Sequence, residues 1–244
     1  MVLFLHGIGG NRRNWDRQLA AFSGRFRAAA WDARGYGDSD DYDGPLDFAD
    51  FWRDLERVLD HLAAPRAHLV GLSMGGRIAR DFALQRPHRV ASLTLANSSP
   101  GFDALSPAAA KAYLAARREP LLAGKSPRDI APELARRLVG SRPGPGVLEE
   151  LVGSISALRK DSYLKSLEAS VTQDRAAPLE RIKAATLVIT SDEDRLYPPA
   201  LARAMARRIP GAELVEIQGA GHLSNIEQPG RFNEAVLAFL ARCR

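Results

Sequence analysis

A mostly parallel α/β sheet with helices on both faces is the fold class predicted by this 244-residue sequence. Three observations predict it. Short runs rich in Val, Leu, Ile and Ala alternate with longer amphipathic stretches, as expected of strands buried on both faces and of the helices that cover them. One such run, Ala67-His68-Leu69-Val70, leads directly into Gly71-Leu72-Ser73-Met74-Gly75-Gly76 and then into a helix-like stretch. Between two other runs lies an interval of about ninety residues with helical patterning and no strand, several times an ordinary crossover.

In chain order, Val2–Leu5, Ala28–Trp31, His68–Leu72, Ala91–Ala96, Thr186–Thr190 and Ala212–Ile217 read as buried strands. The segments 14–22, 48–62, 74–85, 199–209 and 229–242 read as the helices between and after them. The last carries Phe232, Val236, Phe239 and Leu240 at core spacing, and Pro229 suits a first helical turn. In the long interval, 108–118, 129–138, 147–158 and 161–172 read as helices, punctuated by Pro100-Gly101, Pro107, Pro120, Gly124, Pro127 and Arg142-Pro143-Gly144-Pro145-Gly146. The expected organisation is a core of residues 1–100 and 178–244 with a helical cap inserted at 101–177; extra scaffold helices on the sheet are the alternative.

Composition excludes several function classes. At 45% hydrophobic and 26% charged, the chain is ordinary for a globular protein. The net charge of +5 is carried mainly by Arg scattered through helices of both signs, whereas nucleic-acid binding needs a clustered basic face. A mildly positive surface suits an anionic small substrate. Cys243, the single cysteine, excludes an intrachain disulfide framework and offers no start for a cysteine metal site. Met1-Val2-Leu3-Phe4-Leu5 has no basic region and is too short for a signal core, and no run approaches the ~18 apolar residues of a membrane span. A cytoplasmic protein with no membrane or nucleic-acid partner is expected; homo-oligomerisation stays open.

The chemistry centres on Ser73. Alone, Gly-x-Ser-x-Gly is a weak pattern. After a buried strand and before a helix, it puts the Ser on a strained elbow with its Oγ above the sheet edge, and the helix aims its N–H groups at whatever reacts there. A Ser hydroxyl needs a base, and the base needs an orienting acid. Of the five His residues, His61, His68 and His88 have no acid or glycine signature nearby and read as structural or surface groups. His222, in Gly219-Ala220-Gly221-His222-Leu223, follows the last strand and reaches the sheet edge where Ser73 emerges. Asp192, Glu193 and Asp194 compete for the acid. Asp194 is preferred because the Leu196-Tyr197-Pro198-Pro199 turn that opens the next helix leaves it at the loop tip, while Asp192 and Glu193 read as solvated or capping groups. The order Ser, Asp, His is that of one known triad arrangement.

These residues resemble the α/β-hydrolase family over essentially the whole chain. His6-Gly7-Ile8-Gly9-Gly10 is similar to that family's oxyanion loop, and Asp32-Ala33-Arg34-Gly35-Tyr36-Gly37-Asp38-Ser39 to its next loop. The resemblance implies oxyanion donors from the backbone N–H groups of Ile8 and Met74, a loop-shaping His6, and loop bracing by mutual hydrogen bonds of Asp32, Arg34 and Ser39. GAGHLSNIEQP (219–229), with Leu95-Ala96-Asn97, resembles 3-oxoadipate enol-lactonases, which hydrolyse a small carboxylated lactone without a cofactor. The sequence departs from the pattern in three places. The β-hairpin that usually precedes the first strand is expected to be missing, leaving a sheet edge uncovered. Leu72 makes the wall before the nucleophile apolar, and Ser191 replaces a common Gly.

The predicted activity is hydrolysis of an ester or lactone by a Ser73-His222-Asp194 triad through an acyl-enzyme, with no metal or cofactor. Phe102, Leu196 and Leu223 are expected apolar pocket walls, and Arg117, Arg118, Arg136, Arg137 and Arg159 are candidates to meet a substrate carboxylate. Rival enzymatic readings are a general carboxylesterase, an acyl-homoserine lactonase, a carbon–carbon bond hydrolase and a perhydrolase. A dehalogenase needs a carboxylate where Ser73 stands. A hydrolase-like receptor that signals by moving its cap is the reading from another class.

Overall fold

The computed structural model describes residues 1–243; Arg244, the last residue of the core segment expected at 178–244, lies outside the described residues. Among the described residues six parallel strands form one sheet: β1 (Val2–Leu5), β2 (Ala28–Ala30), β3 (Ala67–Leu72), β4 (Val90–Ala96), β5 (Thr186–Ser191) and β6 (Glu213–Ile217). Their order is β2-β1-β3-β4-β5-β6. The register aligns the core: Leu3 lies beside Leu69, Leu69 beside Leu93, and Leu93 beside Thr186, all buried.

The chain steps from β1 outward to β2, then back across β1 to β3 and onward to β6. Right-handed crossovers convert that reversal into opposite faces for the connecting helices. Accordingly α1 (Asp16–Phe22) packs against the last helix of the chain on one face, while α2 (Ala49–His61) packs against α3 (Met74–Gln85) on the other. The reversal opens a crevice at the carboxyl ends of β1 and β3, where ligands bind in open sheets of this kind.

The long interval between β4 and β5 contains α4 (Pro107–Leu122), α5 (Pro127–Leu138), α6 (Val147–Ser156) and α7 (Lys160–Thr172). Its two legs meet at the core: the Phe102 N–H donates to the Asp174 carbonyl (3.0 Å), and the Ala177 N–H to the Pro100 carbonyl (2.8 Å). Beneath them the buried Asp174 carboxylate pairs with Arg77 and Arg80 of α3, tying both legs to the helix that follows Ser73. After β5 come α8 (Pro199–Arg208), β6, the short α9 (Ser224–Glu227) and α10 (Pro229–Leu240), the partner of α1.

Most element ends differ from the sequence reading by one or two residues, and two of the differences have a visible cause. The helix predicted from residue 14 begins as a 3₁₀ turn at Arg12–Trp15, because Asn11 and Asn14 exchange side-chain bonds with the backbone of the turn; α1 starts at Asp16. The helix predicted to stop at residue 118 runs on through Pro120 to Leu122. Pro120 lies in the final turn, where its missing N–H removes one bond.

Candidate active site

Ser73 sits between β3 and α3 with φ 55° and ψ −116°, a left-handed conformation that an L-residue adopts only under constraint. The constraint is visible on every side. Its N–H donates to the Ala96 carbonyl (2.9 Å), and its own carbonyl accepts from the Gly76 N–H (3.0 Å), the Arg77 N–H (3.2 Å) and Ser98 Oγ (2.8 Å). Close packing of α3 on the sheet requires the flanking glycines: a Cβ on Gly71 would fall 2.3 Å from the Gly75 carbonyl oxygen, and one on Gly75 2.1 Å from that of Leu5.

The loop after β5 delivers Asp194, and the loop after β6 delivers His222; both are buried. His222 Nδ1 lies 2.9 Å from Asp194 Oδ2. The same oxygen accepts from Asn97 Nδ2 (3.0 Å), while Oδ1 accepts from the N–H groups of Leu196 (2.9 Å) and Tyr197 (3.0 Å). Burial is the largest single influence on Asp194 and pushes its pKa up. The His222 charge, the His222 and Asn97 side-chain bonds and the Tyr197 N–H together outweigh it and hold the carboxyl below its ordinary value. An ionised Asp194 can only accept, so the His222 proton resides on Nδ1 and Nε2 keeps its lone pair.

Asn97 is itself strained, at φ 45°, and Ser224 Oγ donates to its Oδ1 (2.5 Å), so the amide is fixed before it reaches Asp194. In the sequence, Asn97 stands out only as the end of Leu95-Ala96-Asn97. Its signal was a polar residue directly after a buried strand. Asp192 accepts from the Gly219 N–H (2.8 Å), and Glu193 from the Ser141 N–H (2.6 Å) and Oγ (3.0 Å). Neither touches His222 in the way Asp194 does.

Ser73 and His222 face one narrow cavity, with a volume of about 40 Å³. That is room for a few waters. Gly7, Ile8, Gly9 and Gly10 form one side of it, and α4, α5, α6 and α7 supply Arg117, Leu134, Leu151 and Tyr163. The N–H groups of Ile8 and Met74 have no turn or loop carbonyl as partner among the described residues. His6 also lines the cavity. The Ala33 N–H donates to its Nε2 (3.1 Å), so Nδ1 carries the proton and donates to the Gly7 carbonyl (2.8 Å). Burial pushes its pKa down, and it stays neutral, locked into the loop it shapes.

Several expected contacts are redistributed. Leu196 and Leu223 line the cavity, as does Leu72. Phe102 does not: it stands edge-on to Tyr113, with ring centroids 5.1 Å apart, packed behind the wall. Of the five candidate arginines only Arg117 lines the cavity. Arg118, Arg136 and Arg137 are exposed, and Arg159 turns to Asp41. Asp32 and Ser39 brace their loop through Ser39 Oγ and the Asp32 carbonyl (2.7 Å), but Arg34 instead pairs with Asp50 and Asp54 of α2. Trp15 and Tyr163 are lining residues that the sequence did not single out, because aromatic residues in helices read as ordinary core.

A family model described as the alpha/beta hydrolase fold matches residues 1–229. The chain belongs to the α/β-hydrolase family. It is 30% identical to 3-oxoadipate enol-lactonase 2 of Acinetobacter baylyi, over 99% of this chain and 88% of that protein. It is 33% identical to the 2-hydroxy-6-oxononadienedioate/2-hydroxy-6-oxononatrienedioate hydrolase of Burkholderia vietnamiensis, over 99% and 87%. Among solved structures, the enol-lactonase from Burkholderia xenovorans LB400 superposes with a TM-score of 0.85 at 29% identity, covering 99% of this chain and 91% of that one. In this α/β-hydrolase, no group of three His, Cys, Asp or Glu is arranged to hold a metal ion among the described residues, and no helix there is long and apolar enough to cross a membrane.

Proposed function

We propose that this α/β-hydrolase cleaves a small, carboxylate-bearing ester or lactone, of the kind an enol-lactonase opens, through Ser73, His222 and Asp194. The observation that carries the catalytic part is a serine held at positive φ over a cavity it shares with a histidine whose other nitrogen is bound to a buried carboxylate. Ser73 Oγ attacks the substrate carbonyl carbon as His222 Nε2 takes its proton. The carbonyl oxygen becomes an oxyanion beside the N–H groups of Ile8 and Met74; removing one such donor typically costs ~10²–10³ in rate. The tetrahedral intermediate collapses, the C–O bond to the alcohol breaks, and His222 returns the proton to the leaving oxygen. In a lactone that alcohol stays tethered to the acyl chain. Water, deprotonated by His222, then releases the acid and restores Ser73.

Arg117 carries the substrate class. It is buried on α4, stacked on Tyr113 with its guanidinium carbon 3.8 Å from the ring centroid; its Nη1 donates to the Tyr113 carbonyl (3.3 Å), and the neutral Tyr163 side chain is a further polar partner. No carboxylate of the described residues pairs with it. A buried cation without a counter-ion is expensive, and a substrate carboxylate would supply one. Helices α4–α7 act in this reading as a cap over 101–177, with Arg117, Leu134, Leu151 and Tyr163 facing Ser73 and His222 across the cavity. A general esterase remains the second reading, favoured by the Leu72, Leu134, Leu151 and Leu196 walls.

The test compares kcat/KM for matched acidic and neutral lactones, with Ser73→Ala as the inactive control. The acidic lactone should be preferred, and Arg117→Leu should erase the preference mainly through KM. A neutral lactone preferred by more than about tenfold, or 1.4 kcal/mol of transition-state discrimination, would replace the enol-lactonase reading with the general esterase one.

A further inference from the structure

Glu227 ends α9 and is only 8% exposed. Its Oε1 accepts from the N–H groups of Gly221 (3.0 Å) and Leu223 (3.3 Å), the two neighbours of His222 in sequence. Its Oε2 accepts from the Gly140 N–H (2.7 Å), just beyond α5. At the same junction the His222 N–H donates to the Leu138 carbonyl (2.7 Å), and Leu138 lines the cavity. The two backbones are in direct contact: a Cβ on Gly221 would lie 2.5 Å from the Gly140 nitrogen and 2.6 Å from the Leu138 oxygen. One carboxylate therefore bridges the His222 loop and the helical insert.

Burial is the largest influence on Glu227 and raises its pKa, against the N–H groups of Gly140, Gly221 and Leu223 and the His222 charge. A carboxyl whose folded pKa is raised stabilises the fold at low pH, and that contribution is lost as pH rises through the folded value.

We propose that Glu227 is a positioning residue for His222: it locks residues 221–223 to residues 138–140, so that the insert sets where the base stands, and its negative charge supports the imidazolium formed when Ser73 gives up its proton. This rests on the serine-hydrolase reading of the same site. Both carboxylate oxygens face only N–H donors, so Glu227→Gln, nearly the same shape, removes the charge and aims an amide NH₂ at one donor.

The experiment measures kcat, KM and their pH profiles for wild type and Glu227→Gln with a short ester, and the rate at which an organophosphonate labels Ser73. Misplacing the base should lower kcat by about 10- to 100-fold, leave KM within about twofold and slow labelling in proportion to kcat. The ionisable groups around His222 are Asp194, Tyr197 and Glu227, with His6 and Arg117 on the same cavity. Losing the Glu227 charge should move the acid limb of kcat/KM to lower pH, a shift that a purely structural role would not cause. A folded Glu227→Gln with wild-type kcat and an unmoved acid limb would overturn the proposal. Should that variant not fold, Glu227→Asp keeps the charge but shortens the reach to Gly140; a kcat loss with the acid limb in place supports the proposal, and a wild-type kcat overturns it. Failure of the phosphonate to label wild-type Ser73 would instead remove the serine-hydrolase reading itself.

Discussion

At Asp194, burial pushes the pKa up, and the His222 charge together with the hydrogen bonds outweighs it. Four donors converge on its two oxygens, from Leu196, Tyr197, Asn97 and His222. An amide in its place could not accept at both positions. Asp194→Asn should therefore turn His222 to the wrong tautomer and lower kcat by about 10⁴-fold, whereas Asp192→Asn and Glu193→Gln, which contact backbone groups of neighbouring loops, should change it little. Steady-state kinetics on the three purified variants checks this. An Asp192→Asn loss as large as that of Asp194→Asn would mean that the acid had been assigned to the wrong carboxylate.

Among the elements, the turn from β3 into α3 is the most constrained. The helix starts so close to the sheet that Gly75 lies against the carbonyl ends of β1. An added methyl cannot push aside backbone as it could a flexible side chain. Gly75→Ala should destabilise the fold by about 1–3 kcal/mol, lowering Tm by roughly 2–4 °C for each of them, and should tilt Ser73 away from its cavity. Thermal unfolding together with the phosphonate labelling rate measures both effects. Unchanged Tm and labelling would show that α3 has slack the packing does not reveal.

For the whole molecule, acid should act in stages. His6 is buried and its pKa is lowered from 6.5, so its contribution is complete above that ordinary value and is lost as pH falls through the folded one. Asp194 is lowered from 3.8, so its contribution is lost later, as pH falls further through its own folded value. Glu227, raised from 4.5, works in the opposite sense and recovers some stability on acidification. Urea unfolding as a function of pH should show the first decline below about 6.5, and His6→Gln should reduce it, leaving the share of the half-buried His68, whose pKa burial also lowers. A decline that persists undiminished in that variant would place the acid-sensitive group elsewhere.

The sequence by itself determined the strands, the elbow at Ser73 and the chain order of the triad candidates. Those depend on local patterning: apolar runs that must be buried, glycines where a backbone passes close, and polar residues placed just past strand ends. It could not separate Arg117 from Arg118, because adjacent helical residues point about a quarter-turn apart and only the packing of α4 decides which one faces inward. It could not assign Phe102 to the cavity or to the layer behind it, since both positions are equally apolar. Nor could it connect Glu227 to Gly140, eighty-seven residues away. Contacts of that kind come from the way the insert folds back over the sheet edge, and only the tertiary structure sets which backbone N–H groups a buried carboxylate meets.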